Sequence, residues 1–241
     1  MHLTRRLTTT LARLRHDRSG LALLEFAYGL PLVLAAGLYG IETANLALVN
    51  LRISQIALNL ADNASRVGLA STLNTTQLRE LDVNDVLQAA RLQGAGIKLT
   101  TYGRVTLSSL ENVKQSWDTT STQGQRIHWQ RCIGMKNATG YSSSYGTTGI
   151  SSGTDSTSAT QGTAAPLGMG DAGSMVNAPP DSGVMFVEIN YLYQPIVANW
   201  LRGNSRIHYV ASFIVRDRRQ FAQLFNFSPA ATASTCNLFT A

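Results

Sequence analysis

The segment Arg18–Phe26, with the sequence RSGLALLEF, joins an arginine-rich head to a long apolar run. The run continues as FAYGLPLVLAAGLYGI over Phe26–Ile41 and contains no charged residue there. Counted from residue 21 to residue 50, it exceeds the about 20 mostly apolar residues with which a helix crosses a bilayer. We therefore predict a transmembrane helix over residues 21–50. A buried core helix is the alternative, but few soluble helices are apolar on every face.

The charges on either side of this helix predict its orientation. Residues 1–20 contain five arginines and one aspartate, which gives +4 of the net charge of +6 and leaves +2 for the remainder. The positive-inside rule places such a head in the cytoplasm and the C-terminal domain, residues 51–241, on the other side of the membrane. The weakly charged remainder does not favour nucleic-acid binding, which requires a basic face on the folded domain.

A cleaved secretory signal peptide would also begin with a basic head and an apolar stretch. The small residues Ala35-Ala36-Gly37 could form its cleavage site. The apolar run continues past that point, however, and Gly20 and Glu25 would then have no role. The two interpretations differ in whether the helix stays attached to the exported domain.

Two features of the helix predict contacts with other helices. Glu25 is a charge inside the apolar run, which is costly in lipid unless the carboxylate is paired or lies at the cytoplasmic interface. Ala36, Gly40 and Ala44 recur every four residues, a spacing that lets helix backbones approach closely, although ordinary small-residue content would look the same. A second acid, Glu42, is expected near the outer interface in contact with water.

Beyond the membrane the helix is expected to continue in amphipathic form. Apolar residues recur at steps of three and four, with polar residues on the other faces. Gly68 is the expected end, which gives a helix of roughly 70 Å at 1.5 Å per residue. The apolar stripe consists of Leu46, Val49, Ile53, Ile56, Leu60, Ala64 and Val67.

The exported domain contains one more predicted helix and four predicted strands. The helix covers residues 76–92, with Asn74 as its cap, Asp82 as a break that caps a second piece, and Gly94 as its end. Helices first and strands later indicate an α+β fold with an antiparallel sheet of about four strands. Apolar–polar alternation places the strands at residues 97–107, 126–133, 184–193 and 206–215, with a helical turn at 195–201.

Residues 137–181 differ from the rest in composition, since Ser, Thr, Gly and Ala dominate them. Such a segment buries too little apolar surface to offset the entropy lost on ordering it. We expect a disordered, flexible low-complexity insertion between strands. It is interpreted as a linker without a specific role rather than as a surface loop carrying sugar.

The side chains of the exported domain predict a disulfide but no catalysis. Cys132 and Cys236 both lie on the exported side, where disulfides persist, and we predict a bond between them, with two free thiols as the alternative. His128 and His208 occur in predicted strands without metal-ligand spacing, so no metal or cofactor is expected. Gly149–Gly153 matches the G-x-S-x-G pattern, but in a serine-rich segment rather than at a strand-to-helix turn. The charged run at residues 216–219 is expected to be a solvated strand end, and the later aromatic residues are assigned to the sheet core.

The N-terminal motif resembles a known processing site. Gly20, followed by four residues and then Glu25 and Phe26, is similar to the prepilin-peptidase site of type IV pilin relatives. The longer run over residues 23–48 resembles the N-terminal segment of the TadE/TadG-like family, the pseudopilins of the tight-adherence (Tad, Flp-type) pilus system. The resemblance covers both ends of the chain and leaves out the middle. The later similar stretches are residues 184–195 and 213–218.

The resemblance implies a pilin-like fold, in which the long membrane helix packs on the sheet, and processing by a membrane-embedded aspartyl peptidase. The cut would fall between Gly20 and Leu21, so the helix is kept. The new amine of Leu21 could then pair with the carboxylate of Glu25 in a neighbouring subunit, which gives that buried charge a partner.

The expected function is that of a minor pilin-like (pseudopilin) subunit in the assembly of a Tad-type type IV pilus. The implied partners are a prepilin peptidase, other pilin or pseudopilin subunits, the Tad inner-membrane machinery and membrane lipid, without nucleic acid. The implied location is the inner membrane, with a cytoplasmic N-terminus and a periplasmic C-terminal domain. An uncleaved, membrane-anchored periplasmic binding or scaffold protein of the cell envelope is the alternative, and an exported enzyme has the least support.

Overall fold

The computed structural model describes residues 20–71, 75–119, 124–197 and 205–240. Three sequence features lie wholly or mostly outside the described residues: the basic head, the predicted cap Asn74 and the predicted helical turn after Gln194. The fold is α+β, with one long apolar helix near the N-terminus and antiparallel sheets, as predicted.

The chain divides into two compact units, which are described separately. The helical unit comprises Met1–Leu46 and Pro195–Arg202. The sheet unit comprises Ala47–Gln194 and Gly203–Ala241. The division falls inside the long helix, so the two halves of that helix belong to different units.

Helix α1 spans Leu21–Arg66 and confirms the predicted continuous helix. Gly20 forms a turn immediately before it, and Pro31 lies inside it. The helix ends shortly before Gly68, whose φ of +149° is a conformation that L side chains rarely adopt. By length and composition, α1 can cross a bilayer.

The two halves of α1 differ in burial. From Leu21 to Ile41 its large apolar side chains are exposed. From residue 47 onward one stripe is buried in the sheet unit, while polar residues and three leucines occupy the outer face. The predicted amphipathic stripe is confirmed except at its ends, where Leu46 and Val67 are only half-buried. Its buried members are Val49, Ile53, Ile56, Ala57, Leu60, Ala61 and Ala64.

Helix α2 spans Glu80–Gln93 and starts later than predicted. Thr76–Gln77 instead forms strand β2, which pairs antiparallel with strand β1, Leu69–Ala70. Asp82 does not break α2. Its carboxylate accepts the backbone N–H of Arg79 at 3.0 Å and so caps the first turn.

The first predicted strand also begins later than expected. Gly94 ends α2, and Ala95–Ile97 and Leu99–Tyr102 then form a 3-10 turn and the short helix α3. Leu99 is buried there, and its backbone N–H donates to the Gly94 carbonyl oxygen at 3.1 Å. The apolar–polar alternation of this segment therefore belongs to a compact turn that buries one leucine, not to an extended chain.

The main sheet contains five antiparallel strands rather than about four. The four long strands correspond to the predicted ones, and a two-residue strand lies inside the low-complexity segment. In chain order they are β3 Gly103–Asn112, β4 Arg126–Ile133, β5 Thr163–Ala164, β6 Ser182–Leu192 and β7 Arg206–Ile214. Their order across the sheet is β5–β4–β3–β6–β7, so β3 and β6 lie near its centre.

Both faces of the central strands are covered. Successive residues of a strand point to opposite faces, and Arg104, Val105, Thr106 and Leu107 of β3 are all buried. On one face, Arg131 of β4 reaches α2. The other face is covered by the segment 137–181 and by the C-terminal tail, through the contacts described next.

The segment 137–181 differs from the expected disordered insertion, because it folds against the sheet. Met169 and Ala178 are buried in one apolar cluster with Phe186 of β6, together with Leu110, Ile127 and Val184. Gly168 has a φ of +85° and closes a turn, in which its backbone N–H donates to the Ala165 carbonyl oxygen at 2.9 Å. The average composition of the segment did not predict these contacts. A few apolar side chains at the right positions are enough to attach a polar segment to the sheet.

The predicted disulfide between Cys132 and Cys236 is confirmed. It joins the C-terminal tail to the outer side of β4. The backbone N–H groups of Cys132 and Gly134 also donate to the tail carbonyl oxygens of Ser234 and Thr240, each at 2.7 Å. The tail therefore covers part of a strand edge that β5 leaves free.

Candidate functional site

The predicted processing site lies at the start of α1. The Gly20 carbonyl oxygen accepts the backbone N–H of Leu24 at 3.1 Å, so Gly20 caps the helix and the Gly20–Leu21 bond joins the turn to the first helical residue. Apart from the adjoining residues of the chain, no described atom lies within 4 Å of the position that a Cβ on Gly20 would occupy.

The other residues of the motif share an exposed surface of α1. Leu21, Glu25 and Phe26 are all exposed. Glu25 follows Leu21 by four residues, which places both on one face of the helix about one turn apart. An amine created at Leu21 would therefore lie on the face that carries the carboxylate.

The small residues predicted for helix packing are also accessible. Ala36, Gly40 and Ala44 are exposed, and apart from the adjoining helix backbone no described atom lies within 4 Å of a Cβ placed on Gly40. Residues four apart lie about 6 Å from one another along the helix axis and on nearly the same face. The face is therefore accessible, and its packing against a second helix stays a prediction.

Glu42 differs from its prediction. It was expected to meet water, but its side chain is fully buried, with 0% exposure. Its Oε2 atom accepts the backbone N–H groups of Ile196 and Val197 at 3.0 and 2.9 Å. All three residues belong to the helical unit. The sequence gives no signal for this contact, because the partners lie 154 and 155 residues apart.

His128 is held in a buried structural pair. Its Nδ1 atom lies 2.8 Å from Oε2 of Glu111, and the hydroxyl of Ser109 donates to the other carboxylate oxygen at 2.7 Å. His128 and Glu111 are almost completely enclosed. Among the described residues no hydrogen-bond partner faces His128 Nε2. A histidine with no access to solvent cannot act on a substrate from this position.

His208 belongs to a polar network that the sequence did not reveal. Its Nδ1 atom lies 2.8 Å from Oδ1 of Asn190, and its Nε2 atom lies 3.0 Å from the Tyr145 hydroxyl oxygen. The Tyr145 hydroxyl in turn donates to Asp171 at 2.7 Å. Asn190 also donates to the buried Glu188 at 3.0 Å, and both carboxylate oxygens of Glu188 accept the backbone N–H of Ser144, at 2.9 and 3.0 Å. The network joins β6 and β7 to the segment 137–181.

The protonation state of Tyr145 follows from its surroundings. Burial, and then the hydrogen bond to Asp171, raise the pKa of Tyr145 to about 12. The phenol therefore keeps its proton at neutral pH and remains a donor to Asp171. This is a fixed structural contact and not an activated hydroxyl.

Three buried arginines are also engaged in structural contacts. Arg131 donates to Glu80 of α2 from Nε at 2.9 Å and from Nη2, a bidentate ion pair. Arg104 donates to the carbonyl oxygens of Gly134, Cys236 and Leu238. Burial lowers the pKa of Arg104 and of Arg219.

Arg219 corrects the prediction of a solvated strand end. It is buried, and its guanidinium donates to the carbonyl oxygens of Ala64 and Val67 at 3.1 and 2.9 Å. These carbonyls lie at the C-terminal end of α1 and just beyond it, where the last helix carbonyls need partners and a cation is stabilised. The sequence could not show that a residue 155 positions away caps this helix.

Three cavities of the sheet unit can be described. One of about 120 Å³ lies beside the disulfide, one of about 180 Å³ lies beside Asp118 and Arg126, and one of about 270 Å³ lies between α2 and the C-terminal tail. Pockets for small ligands usually measure about 300–1,000 Å³. Within the described ranges, no group of three or more His, Cys, Asp or Glu residues could hold a metal ion.

The described residues present two kinds of exposed surface: the first half of α1 and the outer surface of the sheet unit. The polar groups described above connect elements of the fold to one another. Comparison of the chain with models of known families, with curated proteins and with solved structures gives no match.

Proposed function

We propose that this chain is a minor pilin-like subunit that acts in the assembly of a Tad-type type IV pilus. One observation carries the proposal. Gly20 caps a continuous 46-residue helix in which Glu25 and Phe26 occupy the motif positions. The first half of the helix is exposed and apolar, and the second half is built into an α+β domain. A pilin-like subunit requires this division, because its helix must serve both lipid and its own domain.

Processing between Gly20 and Leu21 would remove the basic head and leave the helix attached to the sheet unit. The freed amine of Leu21 and the carboxylate of Glu25 are opposite charges on one face, and in an apolar setting each stabilises the other. In an assembly, the amine of one subunit pairs with the carboxylate of the next. The small face at Ala36, Gly40 and Ala44 then allows the helices to approach.

The protein acts by contact rather than by catalysis. It resides in the inner membrane with the sheet unit in the periplasm, and its partners are a prepilin peptidase, other pilin-type helices and the Tad inner-membrane machinery. The support for a non-enzymatic role is that the buried histidine, glutamates and arginines serve structural contacts. The three cavities described in the sheet unit measure about 120, 180 and 270 Å³, whereas ligand pockets usually measure about 300–1,000 Å³.

Processing is tested by producing the full chain with and without a prepilin peptidase of a Tad system. We expect the peptidase to shorten the wild-type chain and to leave Gly20→Ala uncut. The matched control is Gly37→Ala, a change at a glycine inside α1 whose Cβ would also meet no described neighbour, and we expect it to leave processing intact. A wild-type chain that stays full-length, or a Gly20→Ala chain that is cut as efficiently, would overturn the proposal. A full-length chain in the membrane fraction would then favour the envelope scaffold.

A further inference from the structure

We propose that the loop Pro195–Val197, between β6 and β7, is a second membrane contact that lies in the outer headgroup region beside α1. Glu42 holds it there. The inference rests on the membrane anchoring assumed in the proposed function, and it adds a lipid-binding element that the pilin-like processing motif does not imply. The ligand is a lipid surface, not a soluble molecule.

The depth of Glu42 along the helix is the first support. Glu42 follows Leu21, the first residue of α1, by 21 positions, a rise of about 32 Å at 1.5 Å per residue. The hydrocarbon core of a bilayer is about 30 Å thick. With Leu21 at the cytoplasmic boundary, Glu42 therefore reaches the outer boundary, where hydrocarbon gives way to headgroups.

The hydrogen bonds of Glu42 are the second support. A carboxylate that faces lipid at this depth is costly unless it has donors. The backbone N–H groups of Ile196 and Val197 supply two, at 3.0 and 2.9 Å, and the carboxylate is fully enclosed. The same bonds satisfy two backbone groups of the loop, which irregular chain needs before it can enter an apolar environment. The hydrogen bonds thus satisfy both the Glu42 carboxylate and the two backbone N–H groups of the loop, so that both can lie next to lipid.

The outward side of the loop is the third support. Ile196 is 67% exposed although its backbone is fixed by Glu42. Pro195 has no N–H group that would need a partner. On α1, Tyr39 and Ile41 are exposed close to the same level, and tyrosine is enriched at membrane interfaces. The chain contains no charged residue from Tyr191 to Leu201.

These observations favour lipid over a protein partner. The loop belongs to the same compact unit as the membrane-spanning half of α1, although its neighbours in sequence belong to the sheet unit. The loop is therefore grouped by its contacts with the first half of α1. A contact with lipid fixes how deep α1 lies and limits its rotation about its own axis.

The inference is tested by the full chain in vesicles of phosphatidylethanolamine and phosphatidylglycerol. An environment-sensitive dye is attached to Ile196→Cys, with the native disulfide intact, and lipids brominated near the top of the acyl chain are added. We expect a blue-shifted emission and roughly twofold quenching, because interfacial side chains lie about 5–10 Å inside the boundary. The same dye at Leu167→Cys, which is 77% exposed in the sheet unit, is the control and stays unquenched.

Two further variants test the role of Glu42. In Glu42→Gln the amide oxygen still accepts both N–H groups, so quenching at position 196 persists. In Glu42→Leu the loop is released and quenching falls towards the level of the control.

Three outcomes would overturn the inference. If the dye at position 196 is unquenched while the chain stays bound to the vesicles, the loop does not contact lipid, and the anchoring by α1 is unaffected. If the cysteine at position 196 is shielded from labelling in cells but not in vesicles, the loop contacts a protein partner rather than lipid. Recovery of the chain as a soluble species overturns the anchoring as well. Quenching at position 196 in a chain that no peptidase cuts supports the lipid contact and rejects the pilus proposal.

Discussion

The two halves of α1 are made by one uninterrupted helix, yet they differ in the environment for which they are built. The half from Leu21 to Leu46 exposes apolar side chains on nearly every face. The half from Ala47 to Arg66 buries one stripe and exposes polar residues and three leucines elsewhere. The comparison shows that helix formation and burial are separate properties. Backbone hydrogen bonds continue unchanged, while the distribution of apolar side chains decides which solvent each half requires.

The largest expected effect comes from a charged substitution in each half of α1. In the second half it should lower the free energy of unfolding, and in the first half it should lower membrane retention. Ile56→Asp would bury an unpaired carboxylate in the sheet unit, which we expect to cost about 4–5 kcal/mol of the free energy of unfolding. Leu58→Asp, on the outer face of the same half, should cost about 0.5 kcal/mol or less. Urea unfolding of the full chain in detergent, followed by fluorescence of the tryptophans, measures both. Equal costs would contradict the assignment of the buried stripe.

The corresponding change in the first half has a different effect. Leu34→Asp lies near the centre of the apolar half, where inserting a charge costs about 2.5–3.5 kcal/mol. We expect the urea midpoint of the sheet unit to stay unchanged while the fraction of the chain resistant to carbonate extraction falls. A lower midpoint with normal membrane retention would mean that this half belongs to the folded core.

Removal of the disulfide should affect only the sheet unit. The bond between Cys132 and Cys236 closes a sequence separation of 104 residues. Replacing both residues by serine is expected to lower the free energy of unfolding by about 2–5 kcal/mol. Membrane retention should not change. A thiol count on the denatured, unreduced chain checks the bond itself, and two free thiols would contradict it.

The smallest expected effect is a dependence on alkaline pH. The folded-state pKa of Tyr145 is raised to about 12, above the usual value of about 10. A raised pKa means that the contribution of Tyr145 to stability is complete below pH 10 and is lost as the pH rises towards 12. Tyr145→Phe should therefore flatten the loss of stability in that window, whereas Tyr28→Phe, on the exposed half of α1, should leave it unchanged. Identical alkaline profiles for all three proteins would argue against the contact with Asp171.

Local sequence patterns predicted most of the secondary-structure elements. The extent of α1 follows from Gly20, Gly68 and an apolar run between them, and β4 has the predicted bounds. The buried stripe was visible because helical periodicity is a property of neighbouring residues. The motif at Gly20 and Glu25 could be identified for the same reason, since it spans a few positions.

Contacts between distant segments could not be predicted. Glu42 meets Ile196, and Arg219 caps the end of α1, through pairings that no local pattern encodes. The network from Glu188 to Tyr145 likewise connects β6, β7 and the segment 137–181. The composition of β6 and β7 did not indicate a polar contact with that segment. The segment 137–181 was interpreted from its average polarity. Its attachment depends on Met169 and a few other side chains that an average conceals.

The central claim is that the apolar half of α1 stays joined to the sheet unit after the head is removed. The most direct measurement is the intact mass and N-terminal residue of the chain recovered from membranes of cells that contain a Tad-system prepilin peptidase. The account predicts a chain that begins at Leu21 and retains all of α1. A chain that begins downstream of the apolar half, or one that still carries the arginine-rich head, would contradict it.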